Sequence, residues 1–241
     1  MIDLHCHFLP GVDDGPADME TAIPLAQQAF DNGITHAVIT PHVHPGRYEN
    51  TRSSLQTVFD TFKQALSDAG VPLSIGLAGE VRVSPEVLPM IADGEIPFLG
   101  EWEGKPVVLL ELPHSHVPPG SDKLVGWLIN KGFQPMIAHP ERNKDVMRKL
   151  TKLDPFVEAG CLFQLTAMSV AGRFGEGAHT RAIELLEAGV VTIIASDAHN
   201  HNHRPPVLEP GRQAAAEIVG EAESWQLVRD RPMAIAQSKF S

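Results

Sequence analysis

Cysteine is scarce in this 241-residue chain: Cys6 and Cys161 are the only two. Two thiols cannot build a disulfide scaffold, and such sparing use points to a reducing compartment. Neither opens a phosphate-cradling cysteine loop, which needs arginine six positions on. Val12 and Ala167 stand there instead. Basic residues are outnumbered, 19 against 30 acidic, for a net charge of −11. That balance argues against nucleic acid or an anionic membrane as partner, because both attract basic surfaces. A small basic pocket stays compatible with it. No apolar run approaches the roughly 18 residues that cross a bilayer. Met1-Ile2-Asp3-Leu4-His5 runs straight into charged, strand-like sequence, which predicts no signal peptide. Also missing are a Gly-x-x-x-x-Gly-Lys loop, a Gly-x-Ser-x-Gly elbow and a glycine-rich dinucleotide loop after the first apolar run. The expectation is a soluble, cytoplasmic, globular protein, with enough hydrophobic sequence (43%) for a substantial core.

What is present is a repeating unit. A helical pattern ends in a polar triplet closed by glycine, and an apolar, β-branched run follows. Asp31-Asn32-Gly33 leads into 34–40, Asp68-Ala69-Gly70 into 71–80, and Asn130-Lys131-Gly132 into 133–139. Glu158-Ala159-Gly160 leads into 161–166 and Glu187-Ala188-Gly189 into 190–196. Glycine suits the residue after a helix because the chain turns there through positive φ. The runs are continuous rather than alternating, as in strands covered on both faces. With Ile2–His5 and Val107–Leu112 they predict seven strands in a parallel α/β arrangement, either an open sheet or a closed barrel. Pro24, inside the first helical pattern, predicts a late start or a kink. No linker or composition break divides the chain, so residues 1–241 read as one domain.

A barrel gathers functional groups at the C-terminal ends of its strands. Six of the seven ends carry imidazoles or carboxylates: His5, His7 and Asp14; His42; Glu80; Glu111; His139; and Asp197 with His199. Only the sixth, ending near Gln164, contributes none. A lone His-x-His says little, since residues i and i+2 share a strand face for ordinary reasons. Nor does one glutamate, which caps helices and pairs with lysine elsewhere. The coincidence of position is what points to metal. Four carboxylates meeting unpaired would be very costly to bury. Three divalent ions would outweigh them and leave a positive mouth that attracts an anion. Nitrogen and oxygen donors without thiolate suit manganese, iron or zinc. Of the remaining histidines, His114, His116, His179, His201 and His203 read as loop or helix-start residues and His36 as opening a strand on its N-terminal side, with His44 a pocket candidate. Cys6 should point to the opposite face from its neighbours and be packed.

These residues resemble the polymerase-and-histidinol-phosphatase (PHP) family, and within it the bacterial capsule and exopolysaccharide tyrosine phosphatases of the CpsB/CapC/YwqE type. The resemblance spans nearly the whole chain. It is carried by Met1 to His7, Val12-Asp13-Asp14-Gly15-Pro16, Thr40-Pro41-His42, Ala78-Gly79-Glu80 and Ile137-Ala138-His139-Pro140-Glu141-Arg142. It continues through Gln164-Leu165-Thr166-Ala167, Gly172-Arg173-Phe174-Gly175, Ala195 to Asn200, and Arg204-Pro205-Pro206. The proline-rich stretch Leu112 to Pro119 matches no family motif.

The resemblance implies a distorted seven-stranded, TIM-like (β/α) barrel and three divalent metals, manganese foremost, with iron or zinc as alternatives. One metal would be held by His5, His7, Glu80 and Asp197, a second by Glu80, Glu111 and His139, and a third by Asp14, His42 and His199. Arg142 and Arg204 match phosphate-binding arginines. The implied reaction is hydrolysis of phosphotyrosine on protein by hydroxide bridging two metals, the implied partner a bacterial tyrosine autokinase tail in capsule or exopolysaccharide regulation. His44 and Asp13 are candidate proton donors to the leaving group. Alternative substrates are small phosphate esters such as histidinol phosphate. A different class, the amidohydrolase barrel, also begins with His-x-His but often uses a modified lysine where Glu111 stands here. A third is a non-catalytic, metal-stabilised binding module, which predicts missing ligands.

Overall fold

Each of the seven apolar runs forms strand in the computed structural model, which describes residues 1–240. The chain is a mixed α/β protein built on parallel sheets. The strands are β1 (Ile2–Cys6), β2 (His36–Ile39), β3 (His42–Val43), β4 (Ser74–Leu77), β5 (Glu80–Arg82), β6 (Gly100–Trp102), β7 (Lys105–Glu111), β8 (Gln134–Ala138), β9 (Leu162–Thr166) and β10 (Ile193–Ala195). One sheet runs β1-β2-β4; the other runs β10-β9-β8-β7-β5-β3, with β6 antiparallel on β7.

The strand count differs from seven for a local reason. The second and third runs each break near their ends, so that β2 gives way to β3 and β4 to β5, and the chain crosses from one sheet to the other. Glu80 therefore opens a short strand instead of closing a long one. Gly79 sits at the second break, where a Cβ would lie 2.8 Å from both Pro97 and Val43. β6 went unread because three residues of turn-like sequence carry little periodicity.

Register levels the functional ends. His42 pairs directly with Glu80, Arg82 with Glu111, Glu111 with Ala138, and Ala138 with Gln164. The strands are covered on both faces, as their continuous hydrophobicity demands. Val107, Leu109 and Met136 enter an inner apolar cluster, whereas Val108, Leu110 and Ile137 enter the larger outer one beneath the helices. Alternate side chains of one strand must point to opposite faces, which produces the two clusters.

The helices form by ordinary rules. Helix Arg52–Asp68 is capped by Thr51, whose side chain accepts from Ser54 N. It buries Leu55, Phe59, Phe62 and Leu66, a helical spacing that puts one stripe on the sheet. Truncating one of these to alanine costs about 2–5 kcal/mol. Helix Met19–Asp31 begins at its Asp18 cap and continues through Pro24, so the late start does not occur. Among the described residues no helix is long and apolar enough to cross a membrane.

Candidate metal centre

β1 delivers His5 and, one step past its end, His7, both fully buried. Three groups fasten that end to the segment after β10. Asp3 accepts from Ser196 N and Ser196 Oγ, Asp197 N donates to His5 O at 2.7 Å, and His7 N donates to Ala198 O at 2.8 Å. The chain leaves β8 and β10 through His139 (φ 30°) and Asp197 (φ 53°), two of the three non-glycine residues in left-handed backbone among the described residues. That conformation costs of order 1–3 kcal/mol per residue and persists where surrounding structure enforces it.

Four atoms converge here. His5 Nε2 lies 3.4 Å from both Glu80 Oε2 and Asp197 Oδ1, His7 Nε2 lies 3.5 Å from the same two oxygens, and the two nitrogens are 3.3 Å apart. Donors about 2.1 Å from a tetrahedral metal are about 3.4 Å from one another. The spacing is too long for good hydrogen bonds and right for a shared cation. Glu80 Oε2 and Asp197 Oδ1 are buried without a hydrogen-bond partner, and an orphaned buried carboxylate oxygen is costly.

The other expected residues surround this core. His139 Nε2 is 2.7 Å from Glu80 Oε1. His42 Nδ1 is 2.9 Å from Glu80 Oε2 and 3.6 Å from Glu111 Oε2, and its Nε2 is 3.2 Å from Asp14 Oδ1. His199 Nε2 is 3.3 Å from the same Asp14 oxygen. His42 Nδ1 and His199 Nε2 make no hydrogen bonds. All nine residues expected at the strand ends thus fall into groups of potential metal ligands, and no others do among the described residues. His42 is placed to serve either of two groups, with Glu80 and Glu111 or with His7, Asp14 and His199.

The titration of these groups follows from their crowding. Burial pushes Glu111 up, and Glu80 beside it adds to this, reaching about 7. Burial opposes ionisation of Asp197, yet Arg204 and Arg142 hold it well below the usual carboxylate range. Burial likewise opposes charge on His42, but Glu80 and Asp14 raise it to about 9. His139 falls to about 4 through burial and Arg142, and His199 to about 4 through burial and His7.

Arg142 and Arg204 stand at the edge of the cluster, both bonded to Asp197 Oδ2. The Phe174 ring lies beneath the Arg142 guanidinium, 5.2 Å away. A cleft above the cluster is lined by both arginines, His44, Tyr48, Leu112 and His114. Tyr48 stacks nearly parallel on His42, rings 5.4 Å apart at 7°. His44 is a mouth residue, as its spacing suggested; His114, read as an ordinary loop residue, shares that mouth because the loop after β7 folds over it. Cys6 is packed, its Sγ toward Val38 O, and burial drives its thiol far up.

Three residues take supporting roles that the sequence reading did not give them. Asp13, a candidate proton donor there, instead accepts from His7 Nδ1 at 2.7 Å, His42 N at 3.0 Å and Gly15 N at 2.9 Å. Arg82 pairs with Glu111 Oε2 at 3.0 Å. Gln164 contacts His5 Nδ1 at 2.9 Å and the His139 amide at 3.2 Å, so the sixth strand does serve the centre. The aspartate was visible in its Val-Asp-Asp-Gly motif and the glutamine in Gln164-Leu165-Thr166-Ala167, but being neutral it gave no sign of serving the centre.

Residues 1–237 match the family described as capsular polysaccharide synthesis, CpsB/CapC. The chain belongs to the CpsB/CapC family. It is 36% identical to the tyrosine-protein phosphatase YwqE of Bacillus subtilis (strain 168) over 83% of this chain and 78% of that one. It is 32% identical to the putative tyrosine-protein phosphatase CapC of Staphylococcus aureus over 87% and 81%. Among solved structures it is similar to one from work on B. subtilis YwqE and Streptococcus pneumoniae CpsB, described as unique metal-dependent tyrosine phosphatases. The TM-score is 0.89 at 31% identity, covering 97% of this chain and 93% of the other. A β-aspartyl dipeptidase from Fervidobacterium islandicum, 17% identical with a TM-score of 0.56 over all of this chain and 76% of its own, shares the fold alone.

Proposed function

We propose that this CpsB/CapC protein is a metal-dependent phosphatase that hydrolyses phosphotyrosine on protein. The observation that carries it is the set of buried donor atoms without hydrogen bonds on Glu80, Asp197, His42 and His199, beside two arginines that share one carboxylate oxygen. We assign one metal to His5, His7, Glu80 and Asp197, a second to Glu80, Glu111 and His139, and a third to Asp14, His42 and His199. Manganese is the first choice, with iron or zinc as alternatives, because the donors are all nitrogen and oxygen.

When bound, divalent metal supplies Lewis-acid charge and makes hydroxide available near neutral pH. The protein's own part is binding and orientation. Arg142 and Arg204 present guanidinium N–H groups to the phosphoryl oxygens and stabilise their charge as the phosphorus–phenolate bond breaks and a bond to water oxygen forms. Asp197 Oδ2 fixes both arginines, and Phe174 supports one of them. The leaving tyrosinate, with a pKa near 10, needs little help from a proton donor. His44 lies at the mouth where such a donor would stand, whereas Asp13 is engaged behind His7. Tyr48 and Leu112 offer the departing ring an apolar wall.

Several finer readings go with this one. The two sheets act as parts of one distorted seven-stranded barrel, a reading supported by the seam between His5 and Asp197 and by the β2–β4 pairing running on into that of β3 with β5, through Ala78 N donating to Ile39 O at 2.9 Å and Glu80 N to Pro41 O at 3.1 Å. The described residues, 1–240, form one domain; residue 241, read with them from the sequence, lies outside the described residues. The partner is the tyrosine-rich tail of a bacterial autokinase, met in the cytoplasm; the relatives' printed names support the phosphotyrosine part of this. Against the amidohydrolase chemistry, no lysine lines the cleft among the described residues.

The test is a substrate panel with the manganese-loaded protein: phosphotyrosine peptides, phosphoserine peptides and histidinol phosphate. Higher kcat/KM on phosphotyrosine peptides is expected. A strong preference for histidinol phosphate would overturn the substrate, and inactivity on every ester would overturn the reaction.

A further inference from the structure

β9 is the one strand of the original seven whose end carries no imidazole or carboxylate, yet its Gln164 is fully buried at the heart of the cluster. Its Oε1 sits 2.9 Å from His5 Nδ1 and 3.2 Å from the backbone nitrogen of His139. A backbone N–H can only donate, so the atom facing His139 N must be the amide oxygen. The same oxygen then faces His5 Nδ1, which must carry a proton to bond with it. A neutral imidazole protonated at Nδ1 has its lone pair on Nε2. That nitrogen is the one 3.4 Å from Glu80 Oε2 and Asp197 Oδ1.

We propose that Gln164 is a positioning residue: by clamping the His139 backbone and accepting from His5 Nδ1, its Oε1 commits His5 Nε2 to the metal. This rests on the metal-centre reading above. Partners behind a ligating histidine fix its tautomer and ring orientation. His7 has a carboxylate in that place, Asp13 Oδ2 at 2.7 Å from its Nδ1. His5 has an amide, which does the same without adding another buried charge beside Glu80 and Asp197. The second hydrogen bond of Oε1 reaches the residue held at φ 30°, whose ring contacts Glu80 Oε1 at 2.7 Å. One oxygen therefore locates ligands from β1 and from the end of β8. Meanwhile Gln164 Nε2 is buried with no hydrogen-bond partner. A leucine would fill the same space without leaving a donor unsatisfied, so packing alone does not account for glutamine here.

The test compares wild type, Gln164→Leu and Gln164→Glu as full-length protein. Zinc affinity is measured by chelator competition, and imidazole nitrogen–proton correlations are recorded on the zinc-loaded, 15N-labelled protein. Gln164→Leu, which removes the acceptor, should bind zinc about 10–100-fold more weakly. Gln164→Glu, which can accept both bonds, should return to within a few-fold of wild type. In the wild-type spectrum His5 should carry its proton on Nδ1. Equal zinc affinity in all three proteins overturns the proposal, as does a glutamate variant no better than the leucine one. If Gln164→Leu does not fold, the wild-type spectrum decides, and a bare Nδ1 on His5 overturns the assignment. Wild-type protein that takes up no zinc overturns the metal centre itself; zinc uptake with a flat variant series overturns the role of Gln164 alone.

Discussion

Arg142 and Arg204 donate to the same atom, Oδ2 of Asp197, while Oδ1 of that carboxylate faces His5 and His7. One side chain thus joins the candidate metal cluster to the two guanidinium groups proposed to bind phosphate. Removing either arginine leaves the other on Asp197, and the carboxylate keeps its position.

Arg142→Ala should accordingly lower kcat on phosphotyrosine peptides by on the order of 10²–10³-fold, the usual cost of losing one charge-stabilising donor. Metal content per chain should stay near wild type. Full activity in this variant would remove the assigned role, and loss of metal would make Arg142 a structural support of the centre instead.

His139→Ala should behave differently, losing metal and activity together, because the ring contacts Glu80 Oε1 and little else polar. Elemental analysis of the purified variant beside its phosphatase rate checks this. An unchanged metal count would mean that the group with Glu80 and Glu111 is completed by His42, which lies 2.9 Å and 3.6 Å from their oxygens.

Metal uptake should release protons. Without metal, His42, raised to about 9, is protonated at pH 7, and Glu111, near 7, is protonated about half the time. His139 and His199, near 4, are already neutral. Ligation requires the deprotonated forms, so apparent affinity should rise with pH between about 6 and 9. Calorimetric titrations with zinc in two buffers of different ionisation enthalpy should show more than one proton released per chain at pH 7. No release would contradict the assignment of His42 and Glu111.

Two glycines separate site from scaffold. A Cβ on Gly15 would stand 2.3 Å from His7 O, so Gly15→Ala must displace the Asp13–Asp14 loop and should lower metal affinity and activity. A Cβ on Gly211 would stand 2.6 Å from Ala167 Cα, where helix Glu209–Val219 crosses its neighbour. Gly211→Ala should cost about 1–3 kcal/mol of stability through overpacking, with activity unchanged in the folded fraction. Thermal melts and metal analysis of both variants distinguish the two effects.

The strand runs and the nine ligand candidates were legible in the sequence because continuous apolar runs and ionisable side chains leave strong signals. The steps from β2 to β3 and from β4 to β5 were not, since Thr40-Pro41 and Ala78-Gly79 carry no charge pattern and the strands that follow span two and three residues. The supports behind the ligands were also hidden. Whether Asp13 faces the cluster or a histidine's far side depends on loop geometry, and Gln164 lies too far along the chain from His5 for spacing to connect them. His114 looked ordinary for the same reason: only the fold of the loop after β7 brings it to the mouth.

The stitching of Asp3 to Ser196 and of His5 to Asp197 joins segments that lie some 190 residues apart in the chain. During synthesis, therefore, the first histidines wait for some 190 residues before their partners leave the ribosome. No nascent fragment ending before His199 can bring all nine candidate residues together, so under the proposed assignment ion loading must wait until that residue has emerged.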